Sequence, residues 1–305
     1  MLPKCPYCEN QYKSPPDNGS DRTVQRFGYF LRRDDITRVK RFRCLICRHT
    51  FSEATFDCCF NQKKRVMNEQ LRELLTSGVS MRASSRFLRV NRKTIARKLL
   101  FLGERAYLGL VESNRSLPPA VEVEFDDMES FEHSRLKPLS ILAVVEYKTR
   151  RILGLSVAQM ACKGTLAARS LSKYGPREDH RKKSREELFS NLKPFISATA
   201  VLRSDSNPHY PPSVKNHFPL ASHQTVISRR AAIVGQGELK GRSFDPIFSF
   251  NHTAAMFRAF VSRLFRKTWN TTKKSYCLEA HMLIYAQAHN ERLLAKATKP
   301  SISTG

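Results

Sequence analysis

The spacing of apolar positions changes twice along the chain. Between residues 61 and 107 it follows a helical period. Asn68 stands where a cap would open a helix through Leu71, Leu74 and Leu75 to Ser77, with Gly78 as its stop. A second helix is expected from near Ser80, with Ala83, Phe87 and Leu88 on one face. After a turn at Val90-Asn91, a third is expected from Arg92 to Gly103, with Ile95, Leu99 and Leu102 inward. Residues 108–120 (LGLVESNRSLPPA) read as a linker, because Pro118-Pro119 cannot continue a helix.

From residue 121 the pattern becomes short β-branched runs separated by turn-like segments: VEVEF, PLSILAVVEY and RRILGLSVAQM. These predict consecutive strands. Residues 164–193 are polar and partly helical in pattern; ATAVLRSD and HQTVISR read as two more strands. A glycine-containing loop follows, GQGELKGRS. The last 55 residues return to helical spacing at Ala255, Phe257, Phe260, Val261, Leu264 and Phe265, and residues 296–305 read as a frayed tail.

Charge narrows the function classes. Lys and Arg number 53 against 27 Asp and Glu, a net of +26, in a chain of 305 residues. A field of that sign attracts polyanions, and neutralising phosphates releases their counterions. The apolar runs are too short to span a bilayer, and MLPKCPYCEN has no apolar core of the secretory kind. Eight cysteines in that setting point to a reducing compartment and to metal rather than disulfides.

Four of those cysteines form two C-x-x-C knuckles, Cys5-Pro-Tyr-Cys8 and Cys44-Leu-Ile-Cys47. Two knuckles supply the four thiolates of a tetrahedral zinc shell. The 35 residues between them demand a long hairpin or loop. A redox role fits less well, since two knuckles occur and the context is not βαβ. Cys58 and Cys59 are adjacent, cannot easily share that shell, and are expected as buried thiols.

The third helix is expected to show Arg92, Lys93, Thr94, Arg97 and Lys98 on its outer side, the arrangement of a helix-turn-helix recognition helix. Its plain alternative is a three-helix packing unit with a solvated basic face.

Acids are scarce, so an acid that ends an apolar strand is informative. Val121–Asp126 ends in Asp126 and Ala200–Asp205 ends in Asp205. Each alone is commonly a turn residue. Together they match the need of DNA phosphoryl transfer for oxygen ligands that clamp two hard cations.

The segments RFRCLICRHTFSEAT, SGVSMRASSRFLRVNRKTIARKLLFLG, EFDDMESFEH, RSDSNPHYPP, VGQGELK and FSFNHTAAMFRAFVSRLFRKTW run in order along nearly the whole chain. Individually loose but collectively specific, they resemble a bacterial insertion-sequence transposase with an RNase H-like DDE catalytic core behind a zinc ribbon and helix-turn-helix. The resemblance implies an α/β architecture: zinc ribbon over 1–60, helix-turn-helix over 61–107, linker over 108–120, and an RNase H-like mixed sheet flanked by helices over 121–295. It implies Asp126 and Asp205 as the first two catalytic aspartates, with magnesium or manganese beside the structural zinc. Double-stranded DNA is the implied partner, at element ends and target, in a cytoplasmic, nucleoid-associated, possibly multimeric protein.

The third acid is where this chain departs from the pattern. Asn251-His252 stands at the start of the last helical region, where a carboxylate is expected. Glu238 follows Asp205 by 33 residues but sits in the glycine-flanked loop; Asn251 ranks ahead of it. His252 is a candidate contact to the scissile phosphate, and His209-Tyr210 a candidate border of the site or a packing turn. Arg258, Arg263, Arg266 and Lys267 could grip DNA, Glu279 reads as a surface residue, and Trp269 as core. Two further readings stay open: a catalytically inactive DNA-binding protein or regulator derived from a transposase, and a basic RNA-binding protein of ribosomal type, which leaves the paired aspartates unexplained.

Overall fold

The structure, a computed structural model, describes residues 2–8, 23–227, 245–265 and 270–297. The chain divides into two compact units, Met1–Gln70 and Leu71–Gly305. Among the described residues no helix is long and apolar enough to cross a membrane.

In the first unit, β1 (Val24–Arg32), β2 (Thr37–Cys44) and β3 (Thr50–Ser52) form an antiparallel sheet in that order. Its small core joins Val24, Phe42 and Phe51 to Cys5 and Cys44. The long spacing between the two knuckles thus includes a β-hairpin. Cys58 is exposed and Cys59 half-buried, against the expectation of buried thiols. They follow a short 3-10 turn, Glu53–Phe56, outside the sheet core.

In the second unit a five-stranded mixed sheet has the order β6-β5-β4-β7-β8. It consists of β4 (Ala120–Phe131), β5 (Pro138–Glu146), β6 (Ile152–Gln159), β7 (Ile196–Asp205) and β8 (Ser222–Val226). The first three pair antiparallel as a meander, whereas β7 and β8 run parallel to β4. Both faces are covered, so the central strands read as continuous apolar runs. On one face Phe125, Val144 and Leu202 pack with Leu188, Phe189 and Tyr210 from α5 (Arg181–Leu192) and α6 (Tyr210–His217). On the other, Met128, Ile141 and Ala143 pack with Phe250, Phe257 and Met282 from α7 (Phe248–Phe260) and α8 (Ser275–Ala297).

Three helices precede the sheet: α1 (Met67–Thr76), α2 (Met81–Phe87) and α3 (Arg92–Ser116). Asn68 lies inside α1 rather than capping it; its amide donates to Gln62 Oε1 at 2.7 Å. Gly78 takes φ +78 just after α1, as its stop role requires. Ser80 and Asn91 cap α2 and α3. In α2 the inward residues are Ser84 and Ser85, and Phe87 is 77% exposed, which corrects the expected apolar face.

The largest correction concerns α3. It does not end at Gly103 but runs to Ser116, through most of the expected linker, and only Leu117–Pro119 separate it from β4. A Cβ on Gly103 would stand 2.5 Å from Ala280 Cβ, so this glycine serves close helix packing instead of helix termination. The stripe Leu99, Leu102, Ala106 then packs on α8 through Ala280 and Ile284.

Candidate active site and metal centre

Cys5, Cys8, Cys44 and Cys47 converge in the first unit. Their sulfurs lie within 4.8 Å of one another, with Sγ–Sγ distances of 3.6 Å for Cys5–Cys47 and Cys8–Cys44. A disulfide needs about 2.05 Å, whereas a tetrahedral ion with bonds of about 2.3 Å sets sulfurs roughly 3.8 Å apart. Burial opposes ionisation of Cys44, yet the backbone N–H groups of Cys47 and Ile46 bring its thiol down to about 7. The cluster fits a metal ion such as zinc.

The acids gather at one end of the β4–β7 pair. Parallel pairing matches Glu122, Val123 and Glu124 with Val201, Leu202 and Arg203. Continued for two residues, this register sets Asp126 opposite Asp205. Beyond Glu124 the pairing with β7 stops, but β4 runs on to Phe131, so Asp126 lies inside its strand and not at its end as expected, whereas Asp205 does end β7. There α6 begins, and Pro211-Pro212 occupy its first turn, where missing N–H groups cost nothing. Its first residue, Tyr210, is fully buried. The Tyr210 hydroxyl lies 3.2 Å from Asp126 Oδ1 and 3.0 Å from Asp127 Oδ2. Asp127 also accepts from Ser140 Oγ at 2.7 Å.

The electrostatics bear out this crowding. Burial, and then the Asp205 charge, push the Asp126 carboxyl up to about 7. Burial and the charges of Asp127, Asp126 and Asp205 drive the Tyr210 phenol well above its ordinary range. The hydroxyl therefore stays a donor.

A second acid on the same strand was not anticipated. Glu124 is fully buried, and burial pushes it up to about 7. Its Oε2 accepts the Phe250 N–H at 2.8 Å in the first turn of α7, while its Oε1 has no partner. This bond ties the start of α7 to β4 two residues before Asp126. Asn251 follows Phe250 and is buried; its amide Nδ2 donates to Asp245 Oδ2 at 2.8 Å. Asp245, also unanticipated, accepts from the Ile247 N–H and so braces the helix entrance. Glu238, Arg266, Lys267 and Trp269 lie outside the described residues.

Other expected residues fall elsewhere. His252 is engaged by Arg150 Nη1 at 2.9 Å and packs near Phe248. Glu279 is half-buried, its carboxyl raised by burial, rather than a solvated surface group. On α3, Arg92, Lys93 and Arg97 are exposed and Thr94 is half-buried. Lys98 is only 3% exposed, which corrects its expected place on the outer side. It stands three residues from Ile95 and four from Leu102, within the inward stripe.

No protein-family model matches the chain, and no curated protein does. Among solved structures it is similar to the crystal structure of the Mos1 strand transfer complex, at 10% identity and a TM-score of 0.24, covering 76% of this chain and 78% of that one. It is also similar to the crystal structure of a pre-cleavage Mos1 transpososome, at 11% identity and a TM-score of 0.22, covering 76% and 79%. Likenesses at that level fix neither fold nor chemistry.

Proposed function

We propose that this chain is a DNA transposase whose RNase H-like sheet carries Asp126 and Asp205 as the catalytic pair. The observation that carries the reading is the juxtaposition of these carboxyls on adjacent parallel strands, just past their last paired residues, with Asp126 pushed up to about 7. Carboxyls held together in this way resist joint ionisation unless a cation joins them. Magnesium or manganese bound there would activate water, or a 3′-hydroxyl, and stabilise the departing oxygen. The protein's own part is to fix the ligands. Tyr210 holds Asp126 and Asp127 by hydrogen bonds, and Ser140 fixes Asp127 from β5.

Asn251 supplies the third oxygen in this reading. Its amide nitrogen is committed to Asp245, which leaves Oδ1 as the acceptor end, and Glu124 pins its helix to β4. An amide binds magnesium more weakly than a carboxylate and cannot act as a base, so the nucleophile must lose its proton to solvent or to an aspartate.

The N-terminal parts find the DNA. Met1–Gln70 is a zinc ribbon closed by the four cysteines, and α1–α3 form a helix-turn-helix. Arg92, Lys93, Thr94 and Arg97 at the start of α3 meet phosphates and base edges. The test uses zinc-loaded protein, magnesium or manganese, and duplexes bearing the terminal sequences that flank its coding region. Wild type should nick these ends, and Asp126→Ala and Asp205→Ala should each abolish nicking. Full activity in either variant would overturn the assignment.

The absence of a carboxylate at position 251 favours one rival, a DNA-binding protein that has lost catalysis. It predicts end binding without nicking in either metal.

A further inference from the structure

Arg263 follows α7 in a short 3-10 turn, Ser262–Leu264. Its environment is unusual for a guanidinium. Nη1 donates to Thr272 Oγ1 at 3.0 Å, and Nη2 turns to Met81 Sδ, a weak acceptor. Nε is buried with no partner. Among the described residues no carboxylate pairs with it, and burial pulls its pKa down with only Cys277 in opposition. Neighbouring His281 is fully buried, donates from Nε2 to Leu75 O, and is held neutral with a pKa of about 4. A desolvated, uncompensated cation is costly and calls for an anion.

This guanidinium borders a cavity of about 360 Å³ with Ser130, Thr271 and the exposed Arg135 on its wall. Glu129 is also on the wall, exposed, and its charge acts on Arg181. The cavity has a defined relation to the acids. Asp126, Met128 and Ser130 alternate onto one face of β4, and Met128 packs in the same core as Leu264. Ser130 lies four positions on from Asp126, about 13 Å along a strand. That is the axial length of roughly four nucleotide steps of a duplex.

We propose that the Arg263 cavity is a phosphodiester subsite that holds the DNA backbone about four nucleotides from the bond cut at Asp126. Arg263 gives the buried end of a two-point clamp and Arg135 the exposed rim. The ligand is the phosphodiester, not the base, so the contact is independent of sequence. The location of the cut rests on the proposed function; the anion site does not.

The experiment is a methylphosphonate scan of the end duplex, read by binding to the full zinc-loaded chain in calcium. Each substitution removes one phosphate charge. In wild type, neutralising one phosphate near the fourth nucleotide should weaken binding roughly tenfold, the size of one charge-assisted hydrogen bond. R263Q should lose a similar amount on native DNA and nothing further with that methylphosphonate. Its slope of log affinity against log salt should fall by about one. R263K, which keeps the cation, should retain part of the effect and covers the case where R263Q melts early. The proposal is overturned if a folded R263Q or R263K responds to every methylphosphonate as wild type does, or if no single substitution matters. If Asp126→Ala still nicks DNA while the Arg263 coupling persists, the transposase assignment falls and the phosphate site stands.

Discussion

The two clusters of acidic ligands in this chain solve opposite problems. The four cysteines join the small core beside a three-stranded sheet, with sulfurs spaced for one tetrahedral ion. The aspartates sit on β4 and β7, two inner strands of a large sheet with an apolar core on each face. The thiols therefore belong to a core and are spaced to hold one ion. The carboxyls are held against their own repulsion, and burial keeps Asp126 near neutrality. In the proposed reading, a cluster whose charges the fold opposes is there for chemistry.

Metal removal should break this comparison most sharply. Chelation, or Cys44→Ser, should unfold Met1–Gln70, since zinc binding supplies on the order of 10 kcal/mol in domains of this size. Loss of dispersed amide signals from this unit, with those of Leu71–Gly305 retained, is the expected result.

Next in size is the pH dependence of Asp126→Asn without divalent metal. The folded pKa of Asp126, about 7, lies above the ordinary carboxylate value. The unfolded chain therefore loses this proton first, and stability falls as pH rises from about 4 to 7. The variant avoids that loss. It should be more stable than wild type at pH 8, by up to roughly 2 kcal/mol once solvent screening is allowed for, and no more stable at pH 4. Magnesium should reverse the order at pH 8.

Tyr210→Phe removes a donor shared by two carboxyls. It should cost about 1–2 kcal/mol in stability and slow nicking about tenfold. The smallest effect separates two neighbours on α3. Arg97→Ala should weaken DNA binding severalfold and lower the salt slope by about one, with an unchanged melting temperature. Lys98→Ala should lower the melting temperature while the salt slope holds.

Much of the sheet was legible because its strands are apolar, β-branched and set off by turns. The acids at 126 and 205 were legible because they end such runs. Glu124 was not. In VEVEF it alternates with apolar residues, which reads as a strand with one wet face, whereas β4 is central and covered on both sides. Asp245 was missed because its role depends on how α7 meets β4 across more than a hundred residues of chain. Gly103 misled the helix boundary because a glycine that stops a helix and one that admits a neighbour look alike in sequence. Lys98 reads as outward because it lies in a basic cluster, but the 95–99–102 spacing turns it inward.

The most direct test of the central claim is manganese binding to zinc-loaded protein, followed by electron paramagnetic resonance. Wild type should bind manganese at Asp126 and Asp205, and Asp126→Asn and Asp205→Asn should each weaken that binding by an order of magnitude or more. Unchanged manganese affinity in both variants would contradict the account.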